Sequence, residues 1–232
     1  GTNEAPFDGD TGALSAGVDW APSPNWQLGL LANHTQDELD FLRSDGRLRT
    51  EFTGLMAVGG WNITDRLALD GYAGRLQGDY RVRRAINFTL LSGVAIDTVA
   101  NASIDAERSL AGLGLTWAIP SGAWEWQLGA GLDWQRTDLD PYAETGGSGL
   151  ALRVPARAIT SRRGRLDAAL ARNVSANWGV WQPMLRLGWR HEFANPARPL
   201  AVTFVNDGSA TPIRFDTDDA DTAWGEMGLG AV

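Results

Sequence analysis

The sequence of 232 residues has no cysteine and no lysine, and it contains only two histidines. Without cysteine, a disulfide scaffold, a thiolate nucleophile and a cysteine zinc site are excluded. Two histidines leave little for a histidine metal centre, so we expect neither a metal nor a cofactor. All 20 basic residues are arginine, and 28 acidic residues bring the formal charge to -8. Because this balance lacks the basic footprint of nucleic-acid-binding proteins, we expect no nucleic-acid partner.

Long hydrophobic runs are also missing. No apolar stretch approaches the roughly 18 residues that a transmembrane helix needs, which excludes helical spans. No basic segment followed by an apolar stretch opens the chain, so we expect no signal peptide within it. Glycine (28 residues) and tryptophan (11 residues) are instead abundant. This composition points away from an ordinary enzyme, and we expect no catalytic residues.

Apolar and polar residues alternate with a period of two along most of the chain, which predicts β-strands. From Trp124 to Trp134 the apolar residues occupy one face, and Glu125, Gln127 and Asp133 lie on the other. The pattern is clear over 14–20, 26–33, 111–117, 124–134, 165–170 and 181–193, and partial over 48–61, 66–79 and 222–232. Most of the nine predicted strands are about 9 to 16 residues long. Soluble strands average about 5 to 6 residues, whereas a tilted transmembrane strand needs about 9 to 11.

The predicted connections alternate between short and long. Short turns at 21–25, 62–65, 120–123 and 173–177 are separated by longer segments at 36–47, 80–103, 139–156 and 194–221. Outer-membrane barrels have short periplasmic turns and longer external loops. The sequence therefore predicts an all-β fold, a transmembrane antiparallel up-and-down β-barrel.

Tryptophans cluster at the predicted short-turn end. An indole ring is apolar with one N–H donor, so it suits the boundary between hydrocarbon and headgroups. We predict a periplasmic aromatic girdle of Trp20, Trp26, Trp61, Trp117, Trp124, Trp178 and Trp181. The alternative, that these rings fill a soluble core, is weaker because a core would also draw tryptophan from strand centres.

The strand face opposite the apolar one carries residues that a hydrated lumen accepts. A dry core would pay a large desolvation penalty for these charges. The predicted lumen-facing residues are Asp19, Gln27, Glu125, Asp133, Arg163, Arg165, Asp167, Arg186, Arg190 and Glu192. We expect a wall of mixed charge that holds the barrel rigid and grips a polypeptide by polar contacts.

Several segments, in order, resemble the C-terminal β-barrel of autotransporters (type V secretion). They are 12–35 with AGVDW and WQLG, 181–193 with WQP and GWRHEF, and 223–232 with GLG. The resemblance implies a twelve-stranded barrel in the outer membrane of a Gram-negative bacterium, threaded by a linker helix, that helps export an N-terminal passenger. It further implies outer-membrane lipids, the chain's own passenger, the barrel-assembly machinery and periplasmic chaperones as partners, and a monomer.

The chain departs from the family pattern at both ends. The first strand with its linker helix, and the last two strands, are not recognisable, so we expect residues 1–232 to be one clipped barrel domain with about nine of twelve strands. A channel or porin without a passenger is the main alternative function. A soluble β-protein ranks last because its apolar strand faces would form a very large exposed patch.

Two segments remain ambiguous. Residues 80–103 are too apolar for a plain solvent loop, and an external hairpin that extends the neighbouring strands is preferred over a segment folded into the lumen. Residues 48–61 carry apolar side chains on both faces, which permits a β-bulge or a change of register.

Overall fold

The chain folds as one large antiparallel sheet with a small accessory region. The computed structural model describes residues 7–42, 45–177, 179–194, 199–215 and 222–231. The strands are β1 (Phe7–Ser23), β2 (Trp26–Phe41), β3 (Gly46–Thr64), β4 (Leu67–Thr89), β5 (Ala95–Ser121), β6 (Trp124–Leu139), β7 (Tyr142–Ala143), β8 (Thr145–Gly146), β9 (Leu152–Val154), β10 (Arg157–Arg172), β11 (Val174–Ala176), β12 (Gly179–Trp181), β13 (Pro183–Glu192), β14 (Leu200–Phe204), β15 (Ile213–Phe215) and β16 (Ala223–Ala231). Among the described residues, no helix is long and apolar enough to cross a bilayer.

The main sheet follows the order β1-β2-β3-β4-β5-β6-β10-β13-β16, with each long strand antiparallel to the next. These nine strands match the nine segments predicted from the alternation. Neighbours in the sheet are also neighbours in the order of the predicted strands, which is the up-and-down topology expected of a barrel wall.

Strand β3 corrects one expectation. Its register with β2 is continuous, and its register with β4 shifts only between Asn62 and Thr64, so the bulge or register change that the sequence permits does not occur over 48–61. Phe52 and Met56 instead face inward while Leu55 and Ala57 face outward. Both faces are apolar because the inner face of this strand packs against protein above the membrane, where Phe52 is only 1% exposed.

The hairpin β4–β5 confirms the preferred interpretation of residues 80–103. The ladder continues without interruption from Leu67 opposite Trp117 to Thr89 opposite Ala95. Both strands therefore run from the short-turn end to well above the membrane at the long-loop end. The predicted long loop at 36–47 is wrong, because β2 runs to Phe41 and pairs with β3 from Gly46. These two hairpins form a tall wall at the long-loop end.

The remaining long segments hold a small folded region, which we call the cap (residues 142–154 and 200–215). It contains a sheet of order β15-β14-β9-β7, and β8 pairs with the upper part of β5. The expectation of plain loops over 139–156 and 194–221 is therefore wrong for their described parts. Its strands of two to five residues are too short for alternation to be visible in sequence.

The buried core lies at the cap end, on the inner face of β3 to β6. Phe52, Leu76, Ile104, Ala106 and Leu139 form it. Tyr142 of the cap packs against this cluster, and an added side chain at Gly147 would meet Ala100 and Ile86. The cap therefore covers the inner face of the extended strands, on the side of the barrel axis.

Below the cap the polarity of the two faces is reversed, so that the outer face is apolar and the inner face is polar. Outward side chains such as Leu113, Leu132, Leu166 and Leu187 are 49–63% exposed, while their neighbours on the other face are polar or glycine. On β6 the apolar outer positions run from Trp124 to Trp134, which at about 3.3 Å per residue spans about 33 Å of strand. Tilted by about 45°, this length covers roughly 23 Å, close to the apolar band of an outer-membrane barrel.

Candidate functional site: the lumen wall

The candidate site is the inward face of β4, β5, β6, β10, β13 and β16, which we call the lumen wall. Strand register places its residues, since side chains two positions apart share a face and directly opposed residues share it too. One cross-strand row passes from Asp19 through Tyr72 and Asp133 to Arg163 and Glu192. The predicted lumen-facing residues therefore lie on a single face of the sheet.

The first charge cluster surrounds Asp133. The Tyr72 hydroxyl donates a hydrogen bond of 2.7 Å to Asp133 Oδ1. Arg165 lies between two carboxylates, with Nε 4.0 Å from Asp133 Oδ2 and Nη2 3.9 Å from Asp70 Oδ2. Because these side chains are partly hydrated, each loose ion pair contributes at most about 1 kcal/mol.

Glycines make room for this cluster. A Cβ atom at Gly112 would stand 2.5 Å from the Tyr72 ring, and one at Gly114 would stand 2.7 Å from the Asp70 carboxylate. Large inward side chains are accommodated because the positions beside them carry none. This explains why the inner face of β5 has glycine where its outer face has leucine.

The second charge cluster surrounds Arg190. Its Nη1 lies 2.8 Å from Asp167 Oδ1, and its Nη2 lies 3.2 Å from Glu226 Oε2. The Arg190 side chain is only 18% exposed, so this pair is less screened by water than the Arg165 contacts. Both clusters follow one plan, in which one guanidinium bridges two carboxylates from two other strands.

Glu192 marks the external end of the lumen wall. Its carboxylate accepts hydrogen bonds from the Ser161 hydroxyl (2.5 Å) and from the backbone N–H groups of Arg162 (2.7 Å) and Ala194 (3.0 Å). Arg163 lies over the Trp224 ring at 5.4 Å. These contacts tie β10, β13 and β16 together at the rim.

Four predicted residues stand apart from these clusters. In the part of the chain that the structure describes, Asp19, Gln27 and Glu125 make no side-chain hydrogen bond or ion pair with other residues. Arg186 donates only to the Met184 sulfur, at 3.0 Å. Gln27 on β2 and Glu125 on β6 lie near the short-turn end of the inward face of the sheet.

Sequence reasoning missed Asp70, Tyr72, Ser161, Trp224 and Glu226. Asp70 and Tyr72 alternate with Leu69 and Gly71, but glycines and alanines on both faces of β4 obscure the period. For Glu226 the signal is weak because β16 contains few polar residues. Knowing the register from neighbouring strands would have assigned all five to the lumen.

A trough of about 690 Å³ lies along the lumen wall. Its lining combines Asp70, Arg165, Asp167, Arg190 and Glu226 with small residues such as Gly114 and Gly228. The geometry offers a hydrated groove with alternating charge and little side-chain bulk. Such a surface can pass a polypeptide by exchangeable polar contacts.

The tryptophans lie on the opposite, outer side. Trp20, Trp26, Trp61, Trp117, Trp124 and Trp181 are all exposed at the short-turn end. Trp26 and Trp61 stack at 5.2 Å, and Arg172 lies 5.0 Å above the Trp124 ring. Trp178, the remaining predicted member of the girdle, lies outside the described residues.

Comparison with known proteins relates this architecture to autotransporter barrels. The family model described as the autotransporter beta-domain matches residues 1–232. The translocator domain of the autotransporter NalP from Neisseria meningitidis superposes with a TM-score of 0.71 at 14% identity, over 97% of this chain and 70% of that chain. No curated protein sequence matches.

Two other solved structures are weaker matches. BauA, the ferric preacinetobactin receptor from Acinetobacter baumannii, has a TM-score of 0.47 at 15% identity, over 96% of this chain and 37% of that chain. The outer membrane protease OmpT from Escherichia coli has a TM-score of 0.42 at 10% identity, over 94% and 82% respectively. Neither likeness is close enough to carry an argument.

Proposed function

The chain belongs to the autotransporter beta-domain family, whose members anchor in the outer membrane of Gram-negative bacteria and support export of a passenger, and on this premise we propose that its lumen wall is the surface along which the passenger travels. The proposal assigns the contact with the moving chain to the inward residues of β4 to β16. The outer apolar band serves only as the anchor.

One observation carries this proposal: each central arginine of the lumen wall is bridged between two carboxylates. Arg165 lies between Asp70 and Asp133, and Arg190 lies between Asp167 and Glu226. Neither Arg165 nor Arg190 therefore presents an unpaired charge that would bind one passenger segment tightly. A passenger can exchange contacts along the wall, because each hydrogen bond made with it replaces one made with water at a small net free energy.

Removing the bridging charges tests the role of the lumen wall. A reporter domain placed upstream of the barrel in the full-length protein is exported, and its surface exposure is measured by protease digestion of intact cells. We expect the double variant Arg165→Gln, Arg190→Gln to expose clearly less reporter per inserted barrel. Its four carboxylates then repel acidic segments and one another.

The matched control is Arg136→Gln, because Arg136 pairs with Asp138 on the outer face. Heat-modifiable gel mobility gives the amount of folded barrel in each variant. Equal export by the double variant and the control would limit the two clusters to a structural role. An inserted wild-type barrel that exposes no reporter would contradict translocation itself.

A channel without a passenger is the second candidate, favoured by the hydrated trough along the wall. It predicts steady ion conductance of the purified full-length protein in planar bilayers, with a change in ion selectivity on Arg190→Gln. A translocator whose lumen is occupied or capped predicts low conductance instead. The two candidates therefore differ in a single measurement.

The remaining partners follow from the same premise. We propose that the barrel acts as a monomer, that periplasmic chaperones and the barrel-assembly machinery deliver it, and that its own linker helix occupies the lumen after export. We propose no catalytic activity. Crosslinking from a photoreactive residue at position 167 during export tests the contact with the linker, because Asp167 lies at the centre of the trough.

A further inference from the structure

A groove lined by arginines lies on the outer face above the membrane. It occupies about 590 Å³ on the extended strands, beside the edge strand β8. We call it the arginine groove and define it by its polar lining residues, which are Glu38, Arg47, Arg49, Arg81, Arg83, Asn101, Ser103 and Thr145. A volume of this size suits a small-molecule ligand.

Strand register brings these arginines into direct opposition. Arg47 of β3 lies opposite Arg83 of β4, and Arg49 lies opposite Arg81. Like charges placed directly opposite on one sheet face destabilise the pairing. Two such pairs in consecutive positions are unexpected in a chain of net charge -8. An anion bound between them would remove this repulsion.

The protein itself compensates two of the four charges. Arg47 Nη1 lies 2.9 Å from Glu38 Oε1 and its Nε lies 2.7 Å from Asp40 Oδ1. Arg81 Nε lies 3.0 Å from Asp79 Oδ2. Glu38 and Asp40 lie on β2, next to β3, and Asp79 lies on β4, the strand that carries Arg81.

The other two arginines form no ion pair among the described residues, since Glu38, which lies opposite Arg49 on β2, bonds to Arg47 instead. Arg83 donates only to the backbone carbonyl of Asp45, at 2.7 Å. Arg49 forms no ion pair there, and its buried Nε has no acceptor. Because the two residues are diagonal neighbours across β3 and β4, their side chains are about 7–8 Å apart at the base and can converge on one ligand. They are two guanidinium groups without an ion-pair partner among the described residues.

Neutral hydrogen-bonding groups complete the lining. Asn101 and Ser103 on β5 lie opposite Arg83 and Arg81. Thr145 of the cap pairs with Asn101 and donates its hydroxyl to the Asn101 carbonyl at 3.3 Å. Amide and hydroxyl groups both donate and accept, so they suit sugar hydroxyls beside an anionic group.

The position of the groove excludes a site in the hydrocarbon. Arg49 lies six residues along β3 from Leu55, the last apolar outer position, or about 20 Å of strand. With a tilt of about 45° the groove stands roughly 14 Å above the apolar band. It faces the layer beyond the lipid headgroups.

We propose that the arginine groove binds a phosphorylated sugar. Arg49 and Arg83 hold the phosphate, since guanidinium groups match its oxygens with paired, charge-assisted hydrogen bonds. Asn101, Ser103 and Thr145 contact the sugar hydroxyls. This binding is separate from the export function of the lumen wall. The sugar phosphate comes either from solution or from a glycolipid of the cell surface.

Calorimetric titration of the folded full-length protein in neutral detergent tests the proposal, with glucose 6-phosphate as the probe. We expect binding that weakens with added salt and falls at least about tenfold in Arg49→Gln and in Arg83→Gln. Glu38→Gln should bind more tightly, because it releases Arg47 from one of its carboxylates. The unliganded stability of Arg83→Gln should equal or exceed that of wild type.

Arg75→Gln is the matched control, because Arg75 lies on the outer face of the same strand and pairs with Glu107. It should bind the probe as wild type does. Equal binding of glucose, no binding of glucose 6-phosphate and of phosphorylated glycolipid vesicles alike, or equal loss in Arg75→Gln would overturn the proposal. Inorganic phosphate that binds as tightly as glucose 6-phosphate would overturn the sugar contact.

Vesicles with phosphorylated or dephosphorylated surface glycolipid separate the two sources. Binding to phosphorylated vesicles that Arg83→Gln abolishes assigns the ligand to the cell surface. Binding of the soluble sugar phosphate alone assigns it to solution. Both results support the site and differ only in where its ligand originates.

Discussion

The part of the sheet below the cap and the part that packs against the cap are built from the same strands. Their inner and outer faces have opposite polarity. On β5, Leu113 and Leu115 face outward into the bilayer with glycine behind them, whereas higher up Ile104 and Ala106 face inward into a dry core with charged residues outside. The solvent changes along the strand, and the sequence pattern follows it. A single strand thus combines membrane-protein and soluble-protein rules.

The largest expected effect comes from emptying the dry core. Phe52 is 1% exposed, packs edge-on against Tyr80 at 5.5 Å and lies under Arg108 at 4.1 Å. Phe52→Ala should cost about 3–5 kcal/mol of unfolding free energy through lost burial and a cavity. Phe88→Ala is the control, because Phe88 is 44% exposed. Urea unfolding in lipid vesicles, followed by tryptophan fluorescence, measures both; equal losses would mean that no dry core exists.

The next effect concerns the two faces of one strand within the membrane. Leu115→Arg should cost about 2–4 kcal/mol, because it places a charge against hydrocarbon near the middle of the band. Thr116→Arg should cost about 1 kcal/mol or less, since Thr116 lines the hydrated trough. The same unfolding assay compares them. A larger loss for Thr116→Arg would reverse the assignment of the faces.

A smaller effect tests the attachment of the cap. Glu144 is buried, and Arg84 donates to it at 2.9 and 2.6 Å, a contact that raises the pKa of Arg84 chiefly through its side-chain hydrogen bonds. Glu144→Gln should cost about 2 kcal/mol, below the value for a fully buried pair because Arg84 is part-exposed. Amide hydrogen exchange should speed up in the cap alone.

Glu107→Gln is the control for this substitution, because the Glu107–Arg75 pair is exposed to water. It should change stability by about 0.5 kcal/mol or less. Faster exchange throughout β1 to β6 in Glu144→Gln would show that the cap and the wall unfold as one unit.

The smallest effect is acid sensitivity within the cap. The Asp207 carboxylate accepts hydrogen bonds from the Ser209 hydroxyl and N–H and from the Thr211 N–H, which hold its pKa below the usual range. A depressed folded-state pKa stabilises the loop above the ordinary pKa of aspartate, and that contribution is lost as the pH falls through the folded value. Exchange of the Ser209 and Thr211 amides should therefore accelerate at low pH, and Asp207→Asn should remove this part of the dependence.

The same contrast explains what the sequence predicts and what it leaves out. Nine strands, their order and the lumen-facing positions of Asp133, Arg165 and Arg190 follow from alternation, because a bilayer outside and water inside impose it on every strand. Above the membrane either face of the sheet can be solvent-exposed or buried. The alternation therefore does not show whether Phe52 faces inward or outward. The cap strands are too short for any period to emerge.

Partner choice within the charged wall is also hidden from the sequence. Alternation places Arg165 and Arg190 in the lumen, but only register shows that Arg165 lies between Asp70 and Asp133. Tyr72 was missed because an inward aromatic ring needs a glycine across the ladder, and the sequence does not show which glycine that is. These pairings join residues that lie up to about 95 positions apart.

In mechanical terms, the cap and the wall differ in stiffness, and a force along the barrel axis acts on both. The wall distributes a load over ladders of many residues, from Leu67–Trp117 to Thr89–Ala95 in one hairpin alone. The cap is held by ladders of two or three residues and by the Arg84–Glu144 clasp. A polypeptide that pushes outward along the axis would therefore deform the cap first. The mechanical work of that movement would distort the cap, while the barrel wall keeps its shape.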